Sequence, residues 1–239
     1  MRKGTHTQLG RHVPDTEPTL GDRLLEHVPA PLKPKLRGVL HQGAFSASLA
    51  TGAVLIALSA GALAHVAASV YAGSVALLFG TSAAYHRGGW SPRARDRMER
   101  LDHSMIFVLI AGSYTPFTLL LLHGALRWTL LGVVWGGALA GIVVRNSAWR
   151  APRWVYVSLY LGLGWVAVGI MPEVLHKGGV AVLVLLAAGG VLYSVGAVVY
   201  ARKRPDPSPR WFGFHEIFHA LTVAAFACHY VAVGLVVYR

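Results

Sequence analysis

Two of the twelve histidines in this 239-residue chain, His215 and His219, stand four residues apart. On a helix that spacing puts both imidazoles on one face, one turn apart, where they can reach a single metal ion. Alone the pair says little, because twelve histidines in a chain of this length give on the order of 0.6 such pairs by chance. The argument gains strength from what converges on it. His86 ends one apolar run, Asp102 and His103 begin the next, and His41 begins the first. Alternating the runs across a membrane brings all of them to the same face as His215 and His219. Three imidazoles with a nearby carboxylate and an open position make a donor set suited to catalytic zinc. Imidazole with an oxygen donor also suits iron, copper or nickel, so the set defines the site better than the element. Ser82 lies one turn before His86 and shares its face.

Other polar residues read differently. Asp102 also qualifies as the N-cap of the third helix, next to Arg97 and Arg100, a role compatible with a place at the metal. Glu216 is rotated by about 100° from His215 and is expected to face headgroups or a basic loop. His65, His123 and His176 fall on the opposite face and read as interfacial residues. His229 is ten residues beyond His219, roughly 15 Å further along the helix, so it is expected to bond a neighbouring helix instead of sharing the metal.

The elements that must carry these groups are membrane helices. Hydrophobic residues make up 54% of the chain and charged ones only 13%, and the mean hydropathy is +0.51. No Asp, Glu, Lys or Arg occurs from Gly38 to His86, and Ser104–Leu126, Trp128–Val144, Trp154–Pro172 and Gly178–Ala201 are equally free of them. Each is long enough to cross about 30 Å of hydrocarbon at about 1.5 Å per residue. Spans are predicted at Val39–Ala64, Val66–His86, His103–Leu122, Ala125–Val144, Trp154–Pro172, Gly179–Tyr200 and Gly213–Tyr238, with the first break near Gly61–His65 and the longest loop at Arg87–Leu101. The result is an all-α, seven-helix bundle. Glycines such as Gly52, Gly61, Gly73, Gly80, Gly189 and Gly190 would let helices approach closely in lipid.

Of the 22 Lys and Arg residues, only Arg127, Lys177 and Arg239 lie on the second side of such a bundle. The asymmetry sets the amino terminus in the cytoplasm and the carboxyl terminus outside. Residues 1–37 hold seven Lys or Arg and no apolar core, so they are expected to form a cytoplasmic tail and not a signal peptide, followed by a membrane domain over 38–239. The net charge of +12 is dispersed between apolar spans, which speaks for topology and against nucleic-acid binding. Cys228 has no partner for an intramolecular disulfide.

Five stretches carry a family resemblance: Lys35-Leu-Arg-Gly-Val-Leu-His41, Phe79-Gly-Thr-Ser-Ala-Ala-Tyr-His86, Arg100-Leu-Asp-His-Ser-Met-Ile-Phe107, Ala111-Gly-Ser-Tyr-Thr-Pro116 and His215-Glu-Ile-Phe-His219. With them the chain resembles the bacterial hemolysin III family and, more distantly, the progestin and adipoQ receptors and the alkaline ceramidases. The resemblance implies seven helices with a cytoplasmic amino terminus in the bacterial cytoplasmic membrane. It also implies zinc held by His86, His215 and His219, with Asp102 as proton acceptor for the attacking water and Ser82 beside the developing oxyanion. The leading expectation is a zinc-dependent hydrolase acting on a lipid amide or ester, with membrane lipids as partners. The alternatives are a receptor-like regulator with structural zinc and a cytolytic pore. No span shows the sustained polar stripe that a pore needs.

Overall fold

The computed structural model describes residues 34–147 and 151–239; most of the expected tail lies outside them. Seven helices are long and apolar enough to span a membrane: α1 Val39–Ala57, α2 Gly61–Arg87, α3 Pro92–Leu121, α4 Gly124–Asn146, α5 Arg153–Gly178, α6 Val180–Arg202 and α7 Phe214–Val237. No strand occurs among the described residues. Helices suit the setting because they satisfy their own backbone hydrogen bonds where no water can. Large apolar side chains such as Leu49, Val54, Trp128, Leu139, Val143 and Val180 point outward, as a lipid-facing surface requires.

Helix α3 is the centre of the bundle, with 72% of its apolar window buried. It packs on α2, α4, α5 and α7, while α7 also meets α1, α2 and α6. Close approach explains part of this. A Cβ at Gly112 would collide with the Ser74 side chain, and one at Gly52 would lie 3.0 Å from Ala72 Cβ; small residues let these backbones pack without a hydrophobic drive. Gly73 and Gly190, in contrast, face open space.

Several boundaries depart from the sequence reading. The break between α1 and α2 falls at Leu58–Ala60, earlier than Gly61–His65, because Ser59 N–H still bonds back to Ile56 while Ala60 N–H turns to the Val237 carbonyl. Helix α3 starts at Pro92, ten residues before Asp102. Ser91 accepts from Ala94 N–H as N-cap and Pro92 takes the first helical position, where its missing N–H costs nothing. Asp102 is therefore not an N-cap, and the expected long loop Arg87–Leu101 shrinks to four residues, Gly88–Ser91. Helix α5 runs beyond Pro172 to Gly178, tightening to 3-10 geometry over Val166–Ile170 and widening to π geometry over Val174–Gly178.

Candidate metal centre

The cytoplasm-facing end predicted for the bundle holds a tight polar knot. His86, His215 and His219 each offer a ring nitrogen, and the three nitrogens lie within 4.8 Å of one another. His215 Nε2 and His86 Nε2 are 3.1 Å apart. Two nitrogens bound at 2.0–2.1 Å to one tetrahedral ion stand about 3.3 Å apart, so the spacing fits a shared small cation. His86 and His219 are buried and His215 partly so. Asp102 stands outside this triangle: its Oδ2 is 3.8 Å from His86 Nε2, beyond hydrogen-bond reach and wide enough for a bridging atom. The Ser82 hydroxyl, also buried, lies 2.8 Å from His41 Nδ1.

The surrounding sequence explains why these groups meet. Gly38 precedes α1 with φ +82°, and a Cβ there would fall 2.6 Å from His86 Cβ, so only glycine lets the α1 start close over the end of α2. Arg37, one residue earlier, pairs with Glu216, whose Oε2 accepts from Gly213 N–H at 2.8 Å. Glu216 is 1% exposed; of the two surroundings expected for it, headgroups or a basic loop, it meets the second, in the basic segment that ends at Arg37. Burial of a carboxylate demands a partner, and Arg37 with the free N–H groups of the α7 terminus supplies them. The ion pair thus pins the first turn of α7, which carries His215 and His219.

His103 is not drawn into the triangle. Its Nδ1 lies 2.7 Å from the Glu99 carbonyl, which can only accept, so Nε2 is left to accept from Tyr200 O–H at 2.9 Å. Tyr160 O–H in turn donates to the His103 carbonyl. The network ties α3 to α5 and α6. As expected, His229 reaches a neighbouring helix, at the Leu186 carbonyl 3.4 Å away, and His65, His123 and His176 are exposed.

Two residues of the knot had no role in the sequence reading: His41, which it placed at this face without a partner, and Tyr200. His41 stacks on His219 with ring centroids 3.6 Å apart and 8° between planes. The available signal was its register: Ala44, Ser48, Gly52 and Leu55 mark the inward face of α1, and His41 sits on it. Tyr200 had no comparable signal, because a tyrosine at the end of a span is common at an interface.

Beneath the knot lies a cavity of about 260 Å³ bounded by every helix except α4. Its polar end holds His41, Ser82, Asp102, His215 and His219; the walls are apolar, for example Leu109, Phe117, Val157 and Leu186; His229 lies at the far end. Trp165, Val168 and Val191 line it yet are 52%, 51% and 53% exposed, so the wall between α5 and α6 is also outer surface of the bundle.

The family model described as haemolysin-III related matches residues 30–230. Hemolysin-3 of Bacillus cereus is 41% identical over 159 residues, 64% of this chain and 70% of that protein. The Hemolysin-3 homolog of Bacillus subtilis strain 168 is 37% identical over 152 residues, 62% of this chain and 70% of its own length. The monocyte to macrophage differentiation factor of Homo sapiens is 25% identical over 178 residues, 73% and 71% of the two chains. The match runs from before α1 into α7 and takes in all three ring nitrogens and Asp102: this multi-pass membrane protein belongs to the haemolysin-III related family.

Proposed function

We propose that the protein is a zinc-dependent hydrolase of the bacterial cytoplasmic membrane that cleaves the amide or ester bond of a lipid at the inner leaflet. The observation that carries this reading is that His215 and His219 of the histidine triangle, together with Asp102, line a largely apolar cavity whose α5–α6 wall is also outer surface of the bundle. An acyl chain fits the apolar walls, and its carbonyl then lies at the polar end. His86, His215 and His219 would hold zinc, which when bound polarises a carbonyl and lets water attack near neutral pH.

The remaining chemistry falls to the chain's own groups. Asp102, outside the ligand triangle, accepts the proton of the attacking water and returns it to the leaving amine or alcohol as the carbonyl carbon's bond to nitrogen or oxygen breaks. Water adds one oxygen to the acid and the products are a fatty acid and an amine or alcohol. Ser82 lines the same cavity as Asp102, with its hydroxyl 2.8 Å from His41 Nδ1, and we assign it to the developing oxyanion.

The test is turnover of a panel containing a ceramide, an N-acyl ethanolamine and a diacyl phospholipid by purified, zinc-loaded protein in nanodiscs, with released fatty acid measured by mass spectrometry. Asp102→Asn should keep its zinc and lose about 10²-fold or more in rate. Full complementation of a deletion strain by Asp102→Asn, with failure of His86→Ala, would replace the hydrolase reading by a structural metal that ties α2 to α7.

A further inference from the structure

The stretch Ala111-Gly-Ser-Tyr-Thr-Pro116 supplies no ligand to the histidine triangle, yet it sits where α3 meets two neighbours. A Cβ at Gly112 would collide with the Ser74 side chain, so this face of α3 is pressed against α2. Tyr114, two residues on, points about 200° away around the helix and faces α5. There its buried side chain brings the hydroxyl 3.1 Å from the Leu163 carbonyl oxygen and 2.6 Å from that of Gly164. Carbonyls only accept, so Tyr114 is the donor and its single proton is shared between them.

Those carbonyls stand where α5 changes its winding. Up to Trp165 it is an α-helix, and from Val166 to Ile170 it is a 3-10 helix. Passing from i−4 to i−3 bonding skips a carbonyl, which is costly to leave unpaired where no water reaches it. The winding also decides which side chains meet the cavity. On a regular α-helix Ile170, nine residues after Leu161, would point about 180° away from it. Here both line the cavity. Residues three apart eclipse one another on a 3-10 helix, so Gly164, Ala167 and Ile170 form one straight row on the cavity wall and Trp165, Val168 and Met171 a second. Val166 and Gly169, on the other side of the helix, do not line it.

We infer that Tyr114 is a specificity-determining residue: its O–H holds the carbonyls at the break in α5, keeps the helix overwound there and so gives the cavity a straight two-row wall that selects an unbranched acyl chain. An extended chain runs along such rows in continuous contact, whereas a methyl branch must displace one of them. Without the hydroxyl α5 regains α-helical bonding, and five residues returning from 3-10 to α winding swing Ile170 out of line by roughly 100°. The inference rests on reading the cavity as an acyl-chain site; it does not rest on hydrolysis.

The experiment photo-cross-links the full-length, zinc-loaded protein in nanodiscs to a hexadecanoic acid that carries a mid-chain diazirine. Mass spectrometry maps the labelled residues, while unlabelled hexadecanoic acid and its tetramethyl-branched analogue compete for the site. The wild type should be labelled at Ile170 as well as Met171, and the straight acid should compete roughly 10-fold better than the branched one. Tyr114→Phe, which keeps the ring and loses the donor, should retain its zinc, lose label at Ile170 and narrow the preference to within about threefold. An unchanged preference in Tyr114→Phe would overturn the inference. So would wild-type label at Pro172 in place of Ile170, the pattern of a regular α-helix, a result that does not depend on any variant folding. Competition by neither acid would overturn it together with the acyl-chain reading of the cavity. Label and preference as expected, with no fatty acid released from the lipid panel, would remove the hydrolase reading and leave the role of Tyr114 in place.

Discussion

His86 Nε2 faces His215 Nε2 at 3.1 Å and Asp102 Oδ2 at 3.8 Å, so one atom of one side chain meets both the ligand set and the carboxylate. Three imidazoles in a buried knot are each indispensable to a metal ion, since two leave it without the number of donors that structural or catalytic zinc takes. His86→Ala, His215→Ala and His219→Ala should each lose most of about one zinc per chain, measured by elemental analysis of purified protein. His229→Ala, roughly 15 Å away along α7, should keep it. Retention of zinc in all three knot variants would reduce these histidines to interfacial packing.

At the scale of elements, two devices bring α1, α2 and α7 to one point, and each predicts a loss. Gly38 allows α1 to close over His86. Gly38→Ala would impose both a left-handed backbone on a Cβ and a collision with His86, costing at least about 1–3 kcal/mol and displacing a ligand. Lower thermal stability together with weaker zinc retention is the expected pair of results; unchanged zinc retention would mean that α1 does not set His86. The Arg37–Glu216 pair is the second device. Glu216→Ala leaves Arg37, only 19% exposed, without its partner and uncaps Gly213, for a loss of about 3–5 kcal/mol. Arg37→Met with Glu216→Gln should be more stable than Glu216→Ala alone, because no charge is then left unpaired. Denaturant titration in detergent of the two proteins compares them directly.

The described part of the molecule places its polar knot at one end of a bundle whose outer surface is largely apolar. The seven-span order leaves only Arg127, Lys177 and Arg239 of the 22 Lys and Arg for the second side, so a reporter fused after Arg239 should read as extracytoplasmic and one before Arg37 as cytoplasmic. Both reporters on one side would break the seven-span orientation and move the knot away from the inner leaflet.

Composition and charge alone determined the class and number of the spans, because a membrane helix must be long and apolar wherever it packs. They determined the candidate ligands too: a histidine one turn from another, and a third with a carboxylate at the same depth, are visible as spacings. Helix ends outside the apolar zone were not legible. Arg93 to Leu101 carries charge like a loop, and only the Ser91 cap and Pro92 start, acting with the helix that follows, make it the first turns of α3. That displacement removed Asp102 from the N-cap and put it in the body of a helix. Partners across the bundle were equally hidden. Glu216 could be read as a headgroup contact until α1 delivered Arg37 to it, and His41 was only one more histidine until the packing of α1 on α2 and α7 laid its ring on His219 and its Nδ1 on Ser82. Hydropathy and spacing are properties of one segment, whereas a buried polar contact is a property of two, and only the tertiary structure chooses the second.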